Sequence, residues 1–418
     1  MITSSTASVP SSLVFEHPEV GGPVLWLHSH FLLPTGGTKF IFEVTRRLAE
    51  RRPVEVLVEQ ASPLWRERFA DSGVTLHEIG GPTSMDLRYW GAFPAYLKRD
   101  DRAVRNHASS AAAVVSSFFP MPWLGMRAAR EFSIPHVSLC FEPFPFFHDA
   151  DVIGLFPPAK RALLAFLRAS YGWVDMRGIQ ESDRLLTLNE STAVQMERVY
   201  GRADVTCTYA GVDTDLFHPY SDRDVSDLRE RLGTGPIVIH STDFSPIKRT
   251  DLALEAFAVA AQRVPDAQLA ITSTRQDERQ LSLLRARAEQ LGVADRVVYL
   301  GFLPFADIPR LYSLADALLQ TGTSAGSGAT TMSLPVKEAL ACGTPVIRSR
   351  ATDEDVEDAI SGFLVDPSDA QETGAKLAIL LGDRHRGRRM GEAGLKRITK
   401  QYTWDRVVDV VEHAVGPS

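Results

Sequence analysis

Short apolar, β-branched runs alternate with segments of helical periodicity along almost all of the 418 residues. A strand, a helix and a second strand in succession form a parallel pair, so this alternation predicts an α/β fold with helices on both faces of parallel sheets. The first half contains these predicted strands: Val24 to Leu27, Val54 to Val58, Val74 to Ile79, Ala111 to Ser116, Val137 to Cys140 and Leu185 to Leu188. The second half repeats the pattern: Ile237 to His240, Leu269 to Ser273, Val297 to Leu300, Ala317 to Gln320, Val346 to Arg348 and Phe363 to Val365.

The chain is too long for one ordinary core, because cores stop growing at roughly 250–300 residues. A turn and a proline in Gly211 to Pro219 precede the polar stretch Ser221 to Arg229, so we expect the domain boundary there, with domains at 1–217 and 218–401. Ligands of doubly wound sheets bind outside the carboxyl ends of the strands. The loops that follow strands are therefore where the site is expected.

Composition narrows the class of protein. With 44% hydrophobic and 23% charged residues the chain is typical of globular proteins, and a net charge of −7 disfavours a general nucleic-acid binder. The cysteines Cys140, Cys207 and Cys342 lack the spacing of a metal site or disulfide framework, which favours a reducing cytoplasm. Residues 1–20 do not resemble a signal peptide. The expected location is cytoplasmic, and peripheral contact with the inner face of a membrane stays open.

Two adjacent glycines, Gly36 and Gly37, follow the first predicted strand and open the first predicted helix. They let the backbone approach a ligand closely, and the helix N-terminus behind them favours a negative group. A simple strand-to-helix turn is the competing interpretation, since the G-x-G-x-x-G spacing of a dinucleotide binder is missing.

Two adjacent cations, Lys248 and Arg249, take the equivalent position after the first strand of the second half. A cation is unfavourable at a helix N-terminus without an anion to bind. We expect the pair to hold a diphosphate and to stabilise it as a leaving group, although a solvated basic pair is the alternative.

A loop, a short helix and an apolar strand make up Ser333 to Ile347. This order delivers backbone N–H groups at a helix N-terminus to a phosphate, and Glu338 one turn later can accept hydrogen bonds from sugar hydroxyls. The preceding stretch is rich in glycines and hydroxyls suited to oxyanions, although a flexible surface loop would look the same. Its residues are Gly322, Ser324, Gly326, Ser327, Gly328, Thr330, Thr331 and Ser333.

Glu142 comes at the end of the strand that begins near Val137, where a carboxylate could orient or deprotonate an acceptor hydroxyl. A capping or salt-bridged glutamate is an equal alternative. The aromatic segments Phe118 to Trp123 and Phe144 to Phe147 are more often packing than a sugar or lipid platform, and their prolines predict irregular backbone. We reject metal sites at Asp213 to Asp215, in the predicted hinge, and at Asp353 to Asp355, on a predicted polar surface.

Together these segments resemble the retaining GT-B glycosyltransferases of family 4, glycosyl transferases group 1, over nearly the whole chain. The matching segments are Pro34 to Gly37, Cys140 to Pro143, Leu185 to Ser191, Tyr200-Gly201, Gly211 to Asp213, Phe217 to Pro219, Lys248-Arg249 and Glu338 to Ile347. The resemblance implies two Rossmann-like domains facing a cleft: an acceptor-binding N-terminal domain and a nucleotide-sugar-binding C-terminal one. It also implies a last helix at about 402–418 that crosses back to the first domain, no obligatory metal, and no cofactor besides the donor.

Residue by residue, Glu338 resembles the family's ribose-binding glutamate and Lys248 its diphosphate lysine. The other donor contacts implied are Gly36, Gly37, Thr330, Thr331, Ser333 and Leu334. Three positions depart from the family pattern: Thr330 replaces the first glutamate of E-x7-E, Asp243 an arginine, and Phe141 a histidine. Arg249 would then have to supply the second cation.

The resemblance therefore implies a hexosyltransferase-type enzyme that moves a sugar from a nucleoside diphosphate sugar to a hydroxyl acceptor. A polysaccharide, a lipid-linked glycan and a secondary metabolite are all compatible acceptors. The three departures keep open a non-catalytic GT-B nucleotide-binding protein, and a sugar epimerase or phosphorylase on the same scaffold is a third reading. An NAD-dependent oxidoreductase is disfavoured because no βα turn carries the glycine fingerprint.

Overall fold

The computed structural model of the chain describes residues 21–244, 248–273, 277–322, 334–350 and 355–416. In this part of the chain, two parallel sheets of seven and six strands form two Rossmann-like domains. The predicted α/β class is confirmed. No helix in these described ranges combines the length and the apolarity that crossing a bilayer requires.

The first sheet has the strand order β3-β2-β1-β4-β5-β6-β7, with every neighbouring pair parallel. Its strands are β1 (Val24–Phe31), β2 (Val54–Ala61), β3 (Thr75–Glu78), β4 (Ala113–Ser117), β5 (His136–Leu139), β6 (Arg184–Thr187) and β7 (Val205–Cys207). Its helices are α1 (Gly36–Ala49), α2 (Pro63–Ala70), α3 (Leu87–Ala108), α4 (Met121–Phe132), α5 (Pro145–His148), α6 (Ala150–Gly154), α7 (Pro158–Gln180) and α8 (Glu190–Tyr200). The six predicted strands are present, and β7 is an additional edge strand.

The second sheet has the order β10-β9-β8-β11-β12-β13. In chain order the elements are α9 (Ser226–Leu232), β8 (Ile237–Thr242), α10 (Thr250–Arg263), β9 (Gln268–Ser273), α11 (Glu278–Gln290), β10 (Val297–Gly301), α12 (Asp307–Leu314), β11 (Ala317–Gln320), α13 (Leu334–Ala341), β12 (Val346–Ser349), β13 (Gly362–Val365), α14 (Ala370–Gly382), α15 (Arg384–Gln401) and α16 (Trp404–Val415). The strand order reverses beside β1 in the first sheet and beside β8 in the second. Each reversal opens a crevice at the carboxyl ends of the strands, and the loops after β1 and β8 border these crevices.

Four of the six aromatic side chains in these segments, Phe119, Trp123, Phe144 and Phe147, are buried in the first domain, whereas Phe118 is exposed. Phe119 and Phe144 stack with ring centroids 4.7 Å apart, and Phe147 is fully buried. The prediction of irregular backbone is wrong for most of these residues, because α4 begins at Met121 and α5 at Pro145. Proline fits the first turn of a helix, where its missing N–H group has no partner to lose.

The last helix, α16, follows the second domain in the chain but packs on the first. Its apolar face, which includes Trp404, lies in the same core cluster as Trp26 of β1 and Phe40 of α1. The rings of Phe40 and Trp404 are 5.6 Å apart at their centroids. Where the chain returns, the backbone N–H of Val212 donates to the carbonyl of Tyr402 at 2.8 Å. The two chain segments that join the domains therefore lie side by side.

This junction depends on a glycine. A Cβ at Gly211 would lie 2.6 Å from the backbone nitrogen of Trp404, closer than real Cβ atoms approach. We expect Gly211→Ala to lower the free energy of unfolding by about 1–3 kcal/mol, because the start of α16 must shift. Gly91→Ala, inside α3 with nothing within 4 Å, is the matched control and should be neutral or slightly stabilising. Urea unfolding compares the two, and equal midpoints would contradict the role of Gly211.

Candidate functional site

The glycine turn after β1 is held by a reciprocal pair of hydrogen bonds. Thr35 caps α1, since its Oγ1 accepts from the backbone N–H of Thr38 at 3.2 Å, while Thr38 Oγ1 accepts from the N–H of Thr35 at 2.9 Å. Gly36 and Gly37 are the first two residues of the helix. A Cβ at Gly37 would meet the Phe141 ring at an ordinary 3.8 Å. The packing of the protein itself therefore does not require glycine at position 37.

One turn along α1, Lys39 reaches the opposite domain. Its Nζ donates to Oε1 of Glu338 at 2.6 Å, and the two side chains are only 23% and 9% exposed. The same ammonium lies 4.6 Å from the ring centroid of Phe305 and 5.4 Å from that of Phe217. An ion pair joins the carboxylate at the centre of the predicted donor site to the helix that carries the glycine turn. Lys39 was not among the residues predicted from the sequence, although, like Lys248, it is a cation near the start of a helix, where it is unfavourable without an anion to bind.

A second ion-pair group anchors α13 from the other side. Lys337 Nζ donates to Oδ2 of Asp355 at 2.9 Å, and Arg348 of β12 donates to Oδ1 of the same carboxylate. Burial alone would raise the pKa of Asp355, but Arg348 and Lys337 hold it below its usual range. Asp355 is 1% exposed, so the predicted polar surface stretch is wrong at this residue: the charge is buried because two cations neutralise it.

Lys248 lies just before α10, at the carboxyl end of β8. Burial lowers the pKa of its ammonium, Arg348 lowers it further, and Asp243 opposes the change. Within the described residues, the structure records no hydrogen bond or ion pair to this ammonium. Thr321, after β11, fixes the loop by donating to the backbone carbonyl of Arg249 at 2.8 Å. A partly buried cation is thus presented at the crevice of the second sheet.

Arg249 has a different environment from its neighbour. Its backbone is left-handed, with φ at 45°, and its guanidinium pairs with Asp251 in the first turn of α10 at 2.8 Å. From the sequence alone, both cations were expected to hold the diphosphate. The structure gives Arg249 an internal counter-charge, so Lys248 is the cation left to meet an anion.

Glu142 follows β5 by three residues, and its Oε2 is buried without a hydrogen-bond partner among the residues described. Burial raises the pKa of this carboxyl to about 7, and the neighbouring Asp149 adds to the shift. A carboxyl that exchanges its proton near neutral pH is suited to general acid–base chemistry.

The remaining predicted donor residues divide into two groups. Thr330, Thr331 and Ser333 lie outside the described residues, as does most of the glycine-rich stretch before them. Leu334 begins α13, is 6% exposed, and packs in the core cluster of the first domain. The start of α13 therefore touches both domains.

Two family models cover most of the chain. The model described as Glycosyltransferase Family 4 matches residues 34–216, and that described as Glycosyl transferases group 1 matches residues 224–397. The chain belongs to the GT-B glycosyltransferases of family 4. The first match covers the glycine turn and Glu142, and the second covers Lys248 and Glu338.

Curated relatives match parts of this family 4 chain. A GDP-mannose-dependent α-(1-6)-phosphatidylinositol monomannoside mannosyltransferase of Mycolicibacterium smegmatis is 34% identical over 200 residues, which is 46% of this chain and 51% of the relative. A D-inositol 3-phosphate glycosyltransferase of Segniliparus rotundus is 30% identical over 241 residues, 55% of this chain and 51% of the relative. The chain thus spans about half the length of the curated relatives it matches.

Solved structures resemble this GT-B chain over almost its whole length. Anabaena HepE in complex with UDP has a TM-score of 0.76 at 18% identity, covering 93% of this chain and 98% of that one. WaaG, a glycosyltransferase involved in lipopolysaccharide biosynthesis, has a TM-score of 0.70 at 15% identity, covering 94% and 100%. At these identities the similarity shows the fold.

The raised pKa of Glu142 predicts a pH dependence of stability. The folded state keeps this proton up to about pH 7, whereas the unfolded state releases it near its ordinary value of 4.5. The contribution of Glu142 to stability is therefore present at low pH and is lost as pH rises through 7. Relative to Glu142→Gln, the free energy of unfolding of the wild type should fall by on the order of 2 kcal/mol between pH 5 and 8. Urea unfolding at both pH values measures this.

Glu67→Gln, at an exposed glutamate of α2, is the matched control for Glu142→Gln. A difference between wild type and Glu142→Gln that does not change with pH would contradict the shifted pKa.

The ion pair between Lys39 and Glu338 predicts coupled effects on stability. Lys39→Met leaves a nearly buried carboxylate without its cation, so we expect a loss of about 1–3 kcal/mol in the free energy of unfolding. Glu338→Gln strands the ammonium in the same way. The double variant should cost less than the sum of the two, as urea unfolding of all four proteins will measure.

Arg51→Met is the control for this cycle, because the pairs of Arg51 with Asp409 and Glu412 are solvent-exposed. The Arg51→Met variant should lose less than about 1 kcal/mol in its free energy of unfolding. Strictly additive losses for Lys39→Met and Glu338→Gln would contradict an interaction between the two side chains.

Proposed function

We propose that this chain is a metal-independent, retaining hexosyltransferase that moves a sugar from a nucleoside diphosphate sugar to an acceptor hydroxyl. The observation that carries the proposal is the ammonium of Lys248, which is partly buried at the crevice of the second sheet and makes no hydrogen bond or ion pair with the described residues. Burying a cation in this way is unfavourable unless an anion completes the site. A diphosphate is an anion of suitable charge.

The nucleoside is expected next to Glu338. Its Oε1 is taken by Lys39, and its second carboxylate oxygen can accept hydrogen bonds from the ribose hydroxyls. Lys337, held by Asp355, fixes the helix that carries Glu338. The curated relatives support a nucleoside diphosphate donor, since one of them is named as GDP-mannose-dependent. The donor base and sugar of this chain are left to experiment.

Charge develops on the diphosphate as the bond to the sugar breaks. Lys248 would stabilise that charge from the second domain, and the N–H groups at the start of α1 would approach it from the first. The contacts around Gly37 support this approach of the α1 N–H groups. A Cβ at position 37 would meet only ordinary contacts within the protein, so the space that the glycine leaves is available to a ligand. Without a metal ion, these groups supply the several kcal/mol of leaving-group stabilisation that a Lewis acid would otherwise give. Arg249 is a secondary contributor, since Asp251 already pairs with it.

The acceptor is expected beside the first sheet, where Glu142 lies at the end of β5. Its pKa near 7 suits a group that holds or takes the proton of an attacking hydroxyl. The relatives named above act on inositol-containing acceptors, which supports a polyhydroxylated acceptor as the first class to test.

The test begins with a thermal-shift screen of the full chain against UDP, GDP, ADP and dTDP and their sugars, since a ligand that binds the folded state raises the unfolding temperature. Transfer and hydrolysis are then measured with the stabilising donor. We expect Lys248→Ala to keep the wild-type unfolding temperature without nucleotide and to lower kcat about 10²–10³-fold, as loss of one charge-stabilising group does. Lys396→Ala, at an exposed lysine of α15, should leave kcat unchanged.

Unchanged kcat in Lys248→Ala would remove this residue from the mechanism. Specific nucleotide binding with neither hydrolysis nor transfer would replace the proposal by a non-catalytic GT-B binding protein. Turnover without an acceptor, or only with inorganic phosphate, would indicate the epimerase or phosphorylase reading.

A further inference from the structure

Three potential metal ligands converge at the edge of the first sheet, away from the cleft. Glu55 is the second residue of β2 and His77 is the third residue of β3. The register pairs Leu57 with His77, and Glu55 lies two residues before Leu57, so Glu55 and His77 share one face of the sheet. His107 reaches the same place from the last turn of α3, and its ring centroid is 4.3 Å from that of His77.

The three ligand atoms have the spacing of a small coordination sphere. Oε2 of Glu55 is 3.2 Å from Nε2 of His77 and 3.3 Å from Nδ1 of His107, and one ligand atom from each of the three residues lies within 4.8 Å of the other two. A tetrahedral zinc ion binds nitrogen at about 2.0–2.1 Å and oxygen at about 2.0–2.2 Å, which separates its ligand atoms by about 3.3 Å. The two distances from Glu55 Oε2 already match this separation. Rotation of the histidine side chains would then complete the coordination sphere around an ion.

One nitrogen of the cluster makes no hydrogen bond with the described residues. His107 Nδ1 makes a hydrogen bond with Glu55 Oε2. Nε2 of His77 is buried and has no hydrogen-bond partner among the described residues, although the same oxygen lies 3.2 Å away. A buried nitrogen that contacts an oxygen without hydrogen-bond geometry is only partly satisfied, which is unfavourable. A bound cation would satisfy this nitrogen, the second imidazole and the shared oxygen together.

We propose that Glu55, His77 and His107 bind one transition-metal ion of the zinc type. Two imidazoles and one carboxylate suit zinc, whereas magnesium and calcium prefer oxygen ligands throughout. The side chains are 25% to 32% exposed, which gives an ion a path from solvent and lets water take a fourth position.

The site lies apart from the proposed transfer chemistry. Glu55 is six residues before the carboxyl end of β2, which corresponds to about 20 Å along the strand. The ion would instead connect β3 to β2 and α3. The strand β3 has four residues and none of them is buried, so few apolar contacts hold it in place. A metal bond to His77 would secure this edge strand, and binding would stabilise the folded chain by mass action.

The experiment uses the full, untagged chain after removal of metals. Calorimetric titration with zinc should give one site per chain, and the unfolding temperature should rise with zinc but not with the same concentration of magnesium or calcium. His77→Gln and His107→Gln should each lower zinc affinity at least tenfold. His413→Gln, at an exposed histidine of α16, is the matched control and should bind zinc as the wild type does.

Cobalt provides a test that does not depend on the variants folding. The wild type with one equivalent of cobalt should show the intense visible bands of a four-coordinate ion. Absence of a stoichiometric zinc site in the wild type, or equal affinity in the wild type, His77→Gln and His107→Gln, would overturn the proposal. Weak bands of a six-coordinate cobalt ion would also overturn the three-ligand tetrahedral site.

Discussion

The ion pair between Lys39 and Glu338 is the contact on which the arrangement of the site depends. A carboxylate that is only 9% exposed requires a counter-charge, and the protein supplies it from the opposite domain at 2.6 Å. This ion pair fixes the position of the glycine turn of α1 relative to the helix α13 across the crevice. Any ligand that uses Glu338 therefore binds a carboxylate whose position already depends on both domains.

Adjacent residues of α13 carry opposite charges to opposite partners. Lys337 is held by Asp355, which also binds Arg348, while Glu338 meets Lys39. Neighbours in a helix point about 100° apart, so one short helix can be anchored in its own domain and still present a carboxylate to the other. The anchoring group is costly to bury and stable only when complete. Because all three charged groups, Lys337, Arg348 and Asp355, are paired, the eight-residue helix α13 is held firmly enough to keep Glu338 in a defined position.

The sequence was sufficient for the parts of the fold that repeat. Buried parallel strands are continuous apolar runs, which is why six strands of each half could be placed within a few residues. β7 was not predicted, because three residues are too few to show an alternating or continuous apolar pattern and none of them is buried. For the candidate site, the glycine turn, Lys248 and Glu338 could be proposed from the sequence because their spacing carries a local signal. Lys39 and Asp355 were not, since their partners lie 299 and 18 residues away and only the folded chain brings them together. The different environments of Lys248 and Arg249 could not be predicted either. They follow from the left-handed backbone of Arg249, for which the neighbouring sequence gives no signal.

The placement of α16 on the first domain has a mechanical consequence. The chain leaves the first domain near Val212 and returns at Thr403. The two covalent connections between the domains therefore lie side by side, joined by a backbone hydrogen bond and an isolated parallel bridge. Twisting one domain about the chain axis, or pulling the two apart, would strain both connections at once. We therefore expect any relative movement of the two domains to pivot at this junction and to change the width of the crevice.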